Sequence, residues 1–242
     1  MEEKERTPTG DPIYRYTEPA NEGFVPAGGV EHIEEISNHI EKHLGPIEMV
    51  FHEMISHLVH VDVHHVKPSE NLPFHMLVTS GMSDKPMHVP EGLEEHQYAE
   101  LCMLLPANWP ISQEDFQDEN NYWPVRWLKQ IARFPHEYDT WVGWGHTIPN
   151  GPDATPFADN TFLGCMLLLP SLSMPGEFFT LNTQDGLAIH FYCLYPLYKE
   201  ELDYKLNKGA DKLIDKFEKY AISDVLDVNR KNTCRKKGFF GL

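Results

Sequence analysis

The chain has 242 residues, of which 41% are hydrophobic and 24% are charged, a composition typical of folded globular proteins and unlike that of disordered or fibrous ones. Residues 1–121 hold 6 Lys and Arg against 23 Asp and Glu, and residues 122–242 hold 14 against 14, so the net charge of −17 belongs to the first half. This excess argues against a nucleic-acid partner, because phosphate recognition depends on clustered cations.

Apolar runs such as Met166–Leu169 are far shorter than the roughly 20 residues that a membrane helix needs, so no membrane partner is expected. The charged start Met1–Arg6 lacks the apolar core of a secretory signal, which predicts a cytoplasmic protein. Residues 1–29 are rich in proline and glycine, and they are predicted to form a flexible or extended N-terminal arm. A single domain is expected over residues 30–228.

The domain begins with an amphipathic helix, because apolar residues recur at helical spacing from Glu31 to Leu44 and Gly45-Pro46 ends the pattern. From Met54 to Val66 the period changes to two, with valines alternating against polar residues, which predicts a strand with a half-exposed polar face. Phe74–Thr79 and Tyr98–Leu105 are predicted as further strands, separated by a long loop.

The second half is predicted to begin with another helix. A short helix is predicted from Pro124, since proline is tolerated in a first helical turn, and residues 141–160 are predicted to be irregular. Three strands follow at residues 163–169, 178–181 and 187–194, then two helices at 196–207 and 211–220. Residues 229–242, with the cluster Arg230-Lys231 and Arg235-Lys-Lys237, are predicted to form a solvated basic tail.

Strands and helices therefore do not alternate regularly, which indicates an α+β fold with a mixed, largely antiparallel sheet flanked by helices. Four cysteines stand far apart, and three of them, Cys102, Cys165 and Cys193, lie in apolar strand-like runs. They are predicted to be buried, inert thiols.

Fourteen histidines raise the hypothesis of a metal site, for which His60-Val-Asp-Val-His64 is the sharpest candidate. His60 and His64 lie about 13 Å apart along a strand and do not both reach one ion with Asp62. An ion binding one adjacent pair would need ligands from elsewhere, such as His57, His65, His75 or His88. No metal and no cofactor are assigned, and a metal-dependent enzyme built on this strand remains an alternative.

No catalytic residues are assigned. The string Thr79-Ser-Gly-Met-Ser-Asp84 lacks the glycine two positions before the serine of a nucleophile elbow, and Gly143-Trp-Gly145 lacks the third glycine of a dinucleotide fingerprint. Aromatic residues on loops are favoured anchors of protein interfaces. The candidate partner-binding residues are Ser80 and Asp84 in one turn and Trp144, His146 and Asn150 in one loop, with tight turns and backbone caps as the structural alternative.

Several strings together resemble a known family. They are His60-Val-Asp-Val-His64, Leu77-Val-Thr-Ser-Gly-Met-Ser-Asp-Lys-Pro-Met87, Glu100-Leu-Cys-Met-Leu-Leu-Pro106, Trp123-Pro-Val125, Gly145-His-Thr147 with Asn150, and Leu194-Tyr-Pro-Leu-Tyr-Lys-Glu-Glu201. They are similar to the suppressor-of-fused domain over about residues 31–228.

The resemblance implies a mixed α/β domain without known catalysis. Animal members bind a transcription factor and restrain Hedgehog signalling, and bacterial single-domain members have been proposed as immunity proteins against toxins. We therefore expect a non-catalytic protein-binding module, an immunity protein in a bacterial polymorphic toxin system, whose acidic half suits a basic toxin. A regulator of an endogenous protein is the alternative.

Overall fold

The structure is a computed structural model that describes residues 5–20, 25, 31–53 and 57–235. Within these ranges the chain forms ten strands and four α-helices. In chain order they are β1 (Glu5–Arg6), β2 (Pro12–Ile13), α1 (Ile33–His43), β3 (Ile47–Phe51), β4 (Asp62–Val66), β5 (Phe74–Ser80), β6 (Tyr98–Pro106), α2 (Glu119–Glu137), β7 (Thr147–Pro149), β8 (Leu163–Leu169), β9 (Thr180–Asn182), β10 (Ala188–Tyr198), α3 (Lys199–Lys208) and α4 (Ala210–Lys219). None of these helices is long and apolar enough to cross a membrane.

Eight of the described strands form one mixed sheet in the order β3-β4-β5-β6-β10-β8-β7, with β9 paired to β10. β6 and β10 run parallel, and the other neighbours run antiparallel. The predicted fold class is confirmed. The last residues of β5 and the first residues of β7 lie at the same end of the sheet. β5 ends where β6 and β10 begin, and β7 begins beside the end of β8.

Helices cover both faces of the sheet. On one face, Trp123 and Leu128 of α2 belong to a buried apolar cluster, and on the other, Ile40 of α1 and Leu213 of α4 belong to a second cluster. Strands buried on both faces have continuous apolar sequences in place of alternating ones. Cys102, Cys165 and Cys193 are fully buried within such strands, as predicted.

β4 departs from its prediction in two respects. Val59, Val61 and Val63 are buried in one cluster, as their alternation indicates, but regular strand structure begins only at Asp62. The expectation of a half-exposed polar face is wrong, since Asp62 and His64 are each 2% exposed. β4 lies inside the sheet, with β3 paired to one of its edges and β5 to the other.

Helix α2 begins five residues earlier than predicted. Asp118 caps its first turn by accepting a hydrogen bond from the Asn120 N–H at 2.9 Å. Pro124 therefore lies inside the helix, where it has no N–H to donate to the carbonyl of Asn120. The side-chain amide of Asn160 donates to that carbonyl at 3.1 Å instead, so the missing bond is replaced from outside the helix.

Three strand boundaries also differ from the predictions. β3 is an edge strand of five residues for which no element was predicted, and β7 is an edge strand of three residues within the segment predicted to be irregular. The predicted strand over 178–181 is a 3₁₀ turn, Gly176–Phe179, followed by β9. β10 continues through Pro196, where the third helix was predicted to begin.

The ends of the described chain pack against the domain. Tyr16 contacts the ring of Phe134 edge-on, with centroids 5.3 Å apart, and bonds to the hydroxyl of Thr140. At the other end, the prediction of a solvated basic tail is wrong for Arg230. Its guanidinium pairs with the fully buried Glu201 at 2.5 Å and is only 10% exposed.

Candidate functional site

The turn that follows β5 depends on a glycine. Gly81 has φ 96°, a left-handed conformation, and a Cβ atom added there would lie 1.8 Å from the carbonyl oxygen of His60. Only glycine permits both the conformation and this approach of two backbones. Ser80, the residue before it, is 1% exposed, and its hydroxyl is hydrogen-bonded to His64 Nε2 at 2.8 Å. Ser80 therefore offers no surface to a partner.

The turn encloses a buried carboxyl group. Glu100 is fully buried and accepts hydrogen bonds from the hydroxyl of Thr79 at 2.6 Å, and from the N–H and hydroxyl of Ser83 at 3.0 and 2.7 Å. Burial raises the pKa of Glu100 to about 7, although these hydrogen bonds act in the opposite direction. The polar residues of the turn are thus used inside the protein.

Asp84 ends the same turn and is half-buried. Its carboxylate accepts a hydrogen bond from the Glu31 N–H at 3.2 Å. Burial raises the pKa of Asp84 to about 6, against the lowering effect of that bond. Asp84 thus joins the start of the α1 segment to the turn, and it retains an exposed edge.

Beside this turn, three side chains that bind metals in other proteins converge. Asp62 accepts a hydrogen bond from His52 Nδ1 at 2.8 Å and lies 3.0 Å from His60 Nε2. The ligand atoms of the three residues lie within 4.8 Å of one another. His52 is 68% exposed, His60 26% and Asp62 3%, so the group is open to solvent on one side and anchored on the other.

Charged groups surround Asp62. The N–H of Glu53 donates to Asp62 at 3.1 Å, and the Glu53 carboxylate pairs with Arg133 and accepts from the N–H of Val61 at 3.3 Å. Lys129 of α2 is 8% exposed and donates to the carbonyl of Phe51 at 2.7 Å. Its pKa is lowered by burial and raised by the charge of Asp62.

The other histidines named in the metal hypothesis are placed elsewhere. His75 donates from Nε2 to the carbonyl of Ala107 at 3.2 Å, so its Nδ1 accepts from His65 Nε2 at 2.8 Å. Burial lowers the pKa of His65 to about 4. His57 contacts Val25, and His88 pairs with Asp139 at 3.2 Å.

The second predicted segment contains one exposed residue and two half-buried ones. Trp144 is 52% exposed. His146 packs edge-on against Trp141, with centroids 4.3 Å apart, and burial lowers its pKa to about 4. The side-chain amide of Asn150 donates to the carbonyls of Thr155 and Pro156 at 3.0 and 3.1 Å, so Asn150 caps backbone groups as the structural alternative expected.

The residues that follow the first predicted segment contact the residues that precede the second. The His88 N–H donates to the carbonyl of Thr140 at 3.0 Å, and the Val142 N–H contacts the sulfur of Met87 at 3.5 Å. The segments at this end of the sheet carry a group of carboxylates that we call the acidic rim. It consists of Asp84, Glu91, Glu94, Glu95 and Asp139, all exposed except the half-buried Asp84.

Sequence reasoning missed two members of these sites. His52 follows an edge strand that was not predicted, so nothing indicated that it stands opposite Asp62. Glu100 lies within the apolar string Glu100-Leu-Cys-Met-Leu-Leu-Pro106, and a carboxyl group in such a string is itself a signal of a buried polar network.

Comparison with known proteins places the chain among relatives of one kind. A family model described as suppressor of fused protein (SUFU) matches residues 57–231. An uncharacterised protein of Ureaplasma parvum serovar 3 is 25% identical over 201 residues, which cover 81% of this chain and 92% of that one.

Solved structures agree in fold. A SUFU homologue from Neisseria gonorrhoeae has a TM-score of 0.60 at 17% identity, covering 84% of this chain and 97% of that one. The structure of a Sufu–Fu complex gives 0.57 at 13% identity, covering 86% and 93%. Drosophila Suppressor of Fused gives 0.54 at 12% identity, covering 87% of this chain and 52% of its own.

Proposed function

Because this chain belongs to the suppressor of fused family, we propose that it is a non-catalytic protein-binding module that acts as an immunity protein, neutralising a basic toxin in a bacterial polymorphic toxin system. The observation that carries the proposal is the excess of carboxylates, 23 against 6 cations in residues 1–121, on a domain of a protein-binding family. Opposite charge accelerates association and helps to select the partner.

The acidic rim with Trp144 is the surface that we assign to the partner. Of the five candidate residues, Asp84 and Trp144 retain exposed groups, whereas the side chains of Ser80, His146 and Asn150 make contacts within the protein. An exposed tryptophan beside a charged border is the usual composition of an interface anchor and its rim.

The genetic test uses the neighbouring genes. Each is expressed in a heterologous host alone and together with this chain. The proposal expects one neighbour to arrest growth, this chain to relieve the arrest, and the two proteins to form a stoichiometric complex that weakens as salt is added. If no neighbour is toxic, or if this chain leaves the arrest unchanged, the immunity role is rejected.

Point variants test the surface. Trp144→Ala is expected to weaken the complex by at least about tenfold, as for an interface anchor, and Glu94→Gln with Glu95→Gln is expected to slow association. Phe162→Ala is the matched control, because Phe162 is an aromatic residue that is 80% exposed and lies before β8, at the opposite end of that strand from Gly145. Equal effects of Trp144→Ala and Phe162→Ala would refute the assignment.

A regulator of an endogenous protein is the second candidate, and the similarity to a chain solved as a Sufu–Fu complex supports it. The two roles are separated by the same experiment. A complex with a protein whose gene is unlinked and harmless to the host supports the regulator and removes the immunity role.

A further inference from the structure

The histidine and aspartate group beside the β5 turn follows from strand register. β3 and β4 pair antiparallel with Phe51 opposite Val63, so the next pair outward is His52 and Asp62. Residues directly opposite in an antiparallel pair place their side chains on the same face, with Cβ atoms about 5 Å apart. His60 precedes Asp62 by two residues in extended chain and shares that face. The backbone thus brings all three together.

The spacing of the ligand atoms fits one small cation. Zinc bonds to nitrogen and oxygen of about 2.0–2.2 Å in a tetrahedron require ligand atoms about 3.4 Å apart. The Asp62 oxygens lie 2.8 Å from His52 Nδ1 and 3.0 Å from His60 Nε2, and all three ligand atoms lie within 4.8 Å of one another. Because no two of these ligand atoms are more than 4.8 Å apart, changes of about 1.4 Å or less in their separations would reach the tetrahedral spacing.

The surroundings hold the carboxylate in place. Asp62 is fixed from behind by the Glu53 N–H at 3.1 Å, an arrangement typical of metal ligands that are oriented by outer hydrogen bonds. His52 and His60 are more exposed than Asp62, so an ion and a water ligand have access from solvent.

The charge around the group is close to balanced. Glu53 is neutralised by Arg133, and the ammonium of Lys129, bound to the carbonyl of Phe51, acts on Asp62. Asp84 acts on His60 from the other side. The group and its surroundings therefore contain three carboxylates, Asp62, Glu53 and Asp84, and two cations, Arg133 and Lys129. The net negative charge attracts a cation.

We propose that His52, His60 and Asp62 bind one divalent transition-metal ion. Two imidazoles with one carboxylate suit zinc, nickel, copper or iron, whereas calcium and magnesium prefer ligand sets made of oxygen. The ion would join the end of β3 to the start of β4. None of the three ligands belongs to the acidic rim, although Asp84 of the rim lies near His60, and the binding of the ion does not depend on the partner.

The test uses the full chain, freed of tag and metal, with zinc chloride titrated by calorimetry and cobalt followed by visible absorption. Zinc is expected to bind at one equivalent and to raise the thermal midpoint. His52→Ala is expected to weaken zinc binding by at least about 100-fold, since removing a group that merely orients a ligand costs about 10- to 100-fold. The cobalt spectrum should lose intensity in the same variant.

His88→Ala is the matched control. His88 is also an exposed histidine paired with a carboxylate, Asp139, but it has no third ligand group among the described residues. It should bind zinc as the parent does. His52→Ala removes an exposed side chain, and circular dichroism checks that it folds. The proposal is overturned if the parent binds no zinc, if His52→Ala binds as tightly as the parent, or if His88→Ala weakens binding equally.

Discussion

Replacing Glu100 by Gln tests whether the β5 turn encloses a carboxyl group that is neutral in the folded protein near pH 7. Gln has the same shape, keeps an acceptor for Ser83, and carries no charge at any pH. Glu100 is 0% exposed, and its pKa is raised to about 7 from an ordinary value of 4.5, chiefly by burial.

The direction of the effect follows from that pKa. The folded protein holds the proton more tightly than the unfolded chain, so the stabilising contribution is complete below pH 4.5 and is lost as pH rises through 7. A shift from 4.5 to about 7 corresponds to about 3 kcal/mol. Most of this, on the order of 2–3 kcal/mol, falls between pH 5 and pH 8.

The assay is urea unfolding of the parent and Glu100→Gln at pH 5, 6, 7 and 8. Histidines with lowered pKa, such as His65 and His146, make the free energy of unfolding of both proteins rise with pH over part of this range. The difference between the two proteins cancels their contribution. The parent should lose roughly 2–3 kcal/mol relative to Glu100→Gln from pH 5 to pH 8. Glu94→Gln, at an exposed position, should show no such trend. A difference that stays constant with pH would refute the reasoning.

Two further substitutions test the packing around these sites by thermal or urea unfolding. Gly81→Ala should destabilise the protein by more than the cost of a left-handed conformation, about 1–2 kcal/mol, because its Cβ would also lie 1.8 Å from the His60 carbonyl oxygen. Gly92→Ala, at φ 88° and in open space, should show the conformational cost alone. Equal losses of stability in the two variants would contradict the predicted clash. Arg230→Ala should cost about 3–5 kcal/mol by leaving the buried Glu201 unpaired. Arg126→Ala breaks a more exposed pair and should cost about 0–1 kcal/mol. Equal losses of stability in the two variants would contradict the larger cost expected for the buried pair.

Sequence periodicity predicted the helices that bury one face and the strands that are buried on both faces. It failed for strands that form only because their backbone pairs with a neighbouring strand. Helix α1 and strand β8 were predicted nearly to the residue, because an amphipathic stripe and an apolar run are local patterns. β3 is a strand because its backbone bonds to β4, and its sequence Ile-Glu-Met-Val-Phe has no regular alternation. An edge strand of this kind has no signal of its own to read.

The boundary of α2 shows the same limit in a different form. Pro124 is ordinarily excluded from a helix interior because its ring removes one hydrogen bond. Here Asn160, distant in sequence, bonds to the carbonyl of Asn120 that the proline leaves without an intrahelical donor. That compensation is a tertiary contact, so the local rule placed the helix start too late.

The string Thr79-Ser-Gly-Met-Ser-Asp84 carries the family resemblance, yet most of its polar groups are used internally. Thr79 and Ser83 bind Glu100, Ser80 binds His64, and Gly81 admits the His60 carbonyl. A motif used in this way is required by the fold whatever the domain binds, so it identifies the family without identifying a partner. Partner choice is therefore expected to depend on exposed groups outside the motif, and Trp144 and the acidic rim apart from Asp84 are such groups. This is why binding variants belong at Trp144 and Glu94, while variants at Ser80 or Ser83 are expected to change stability first.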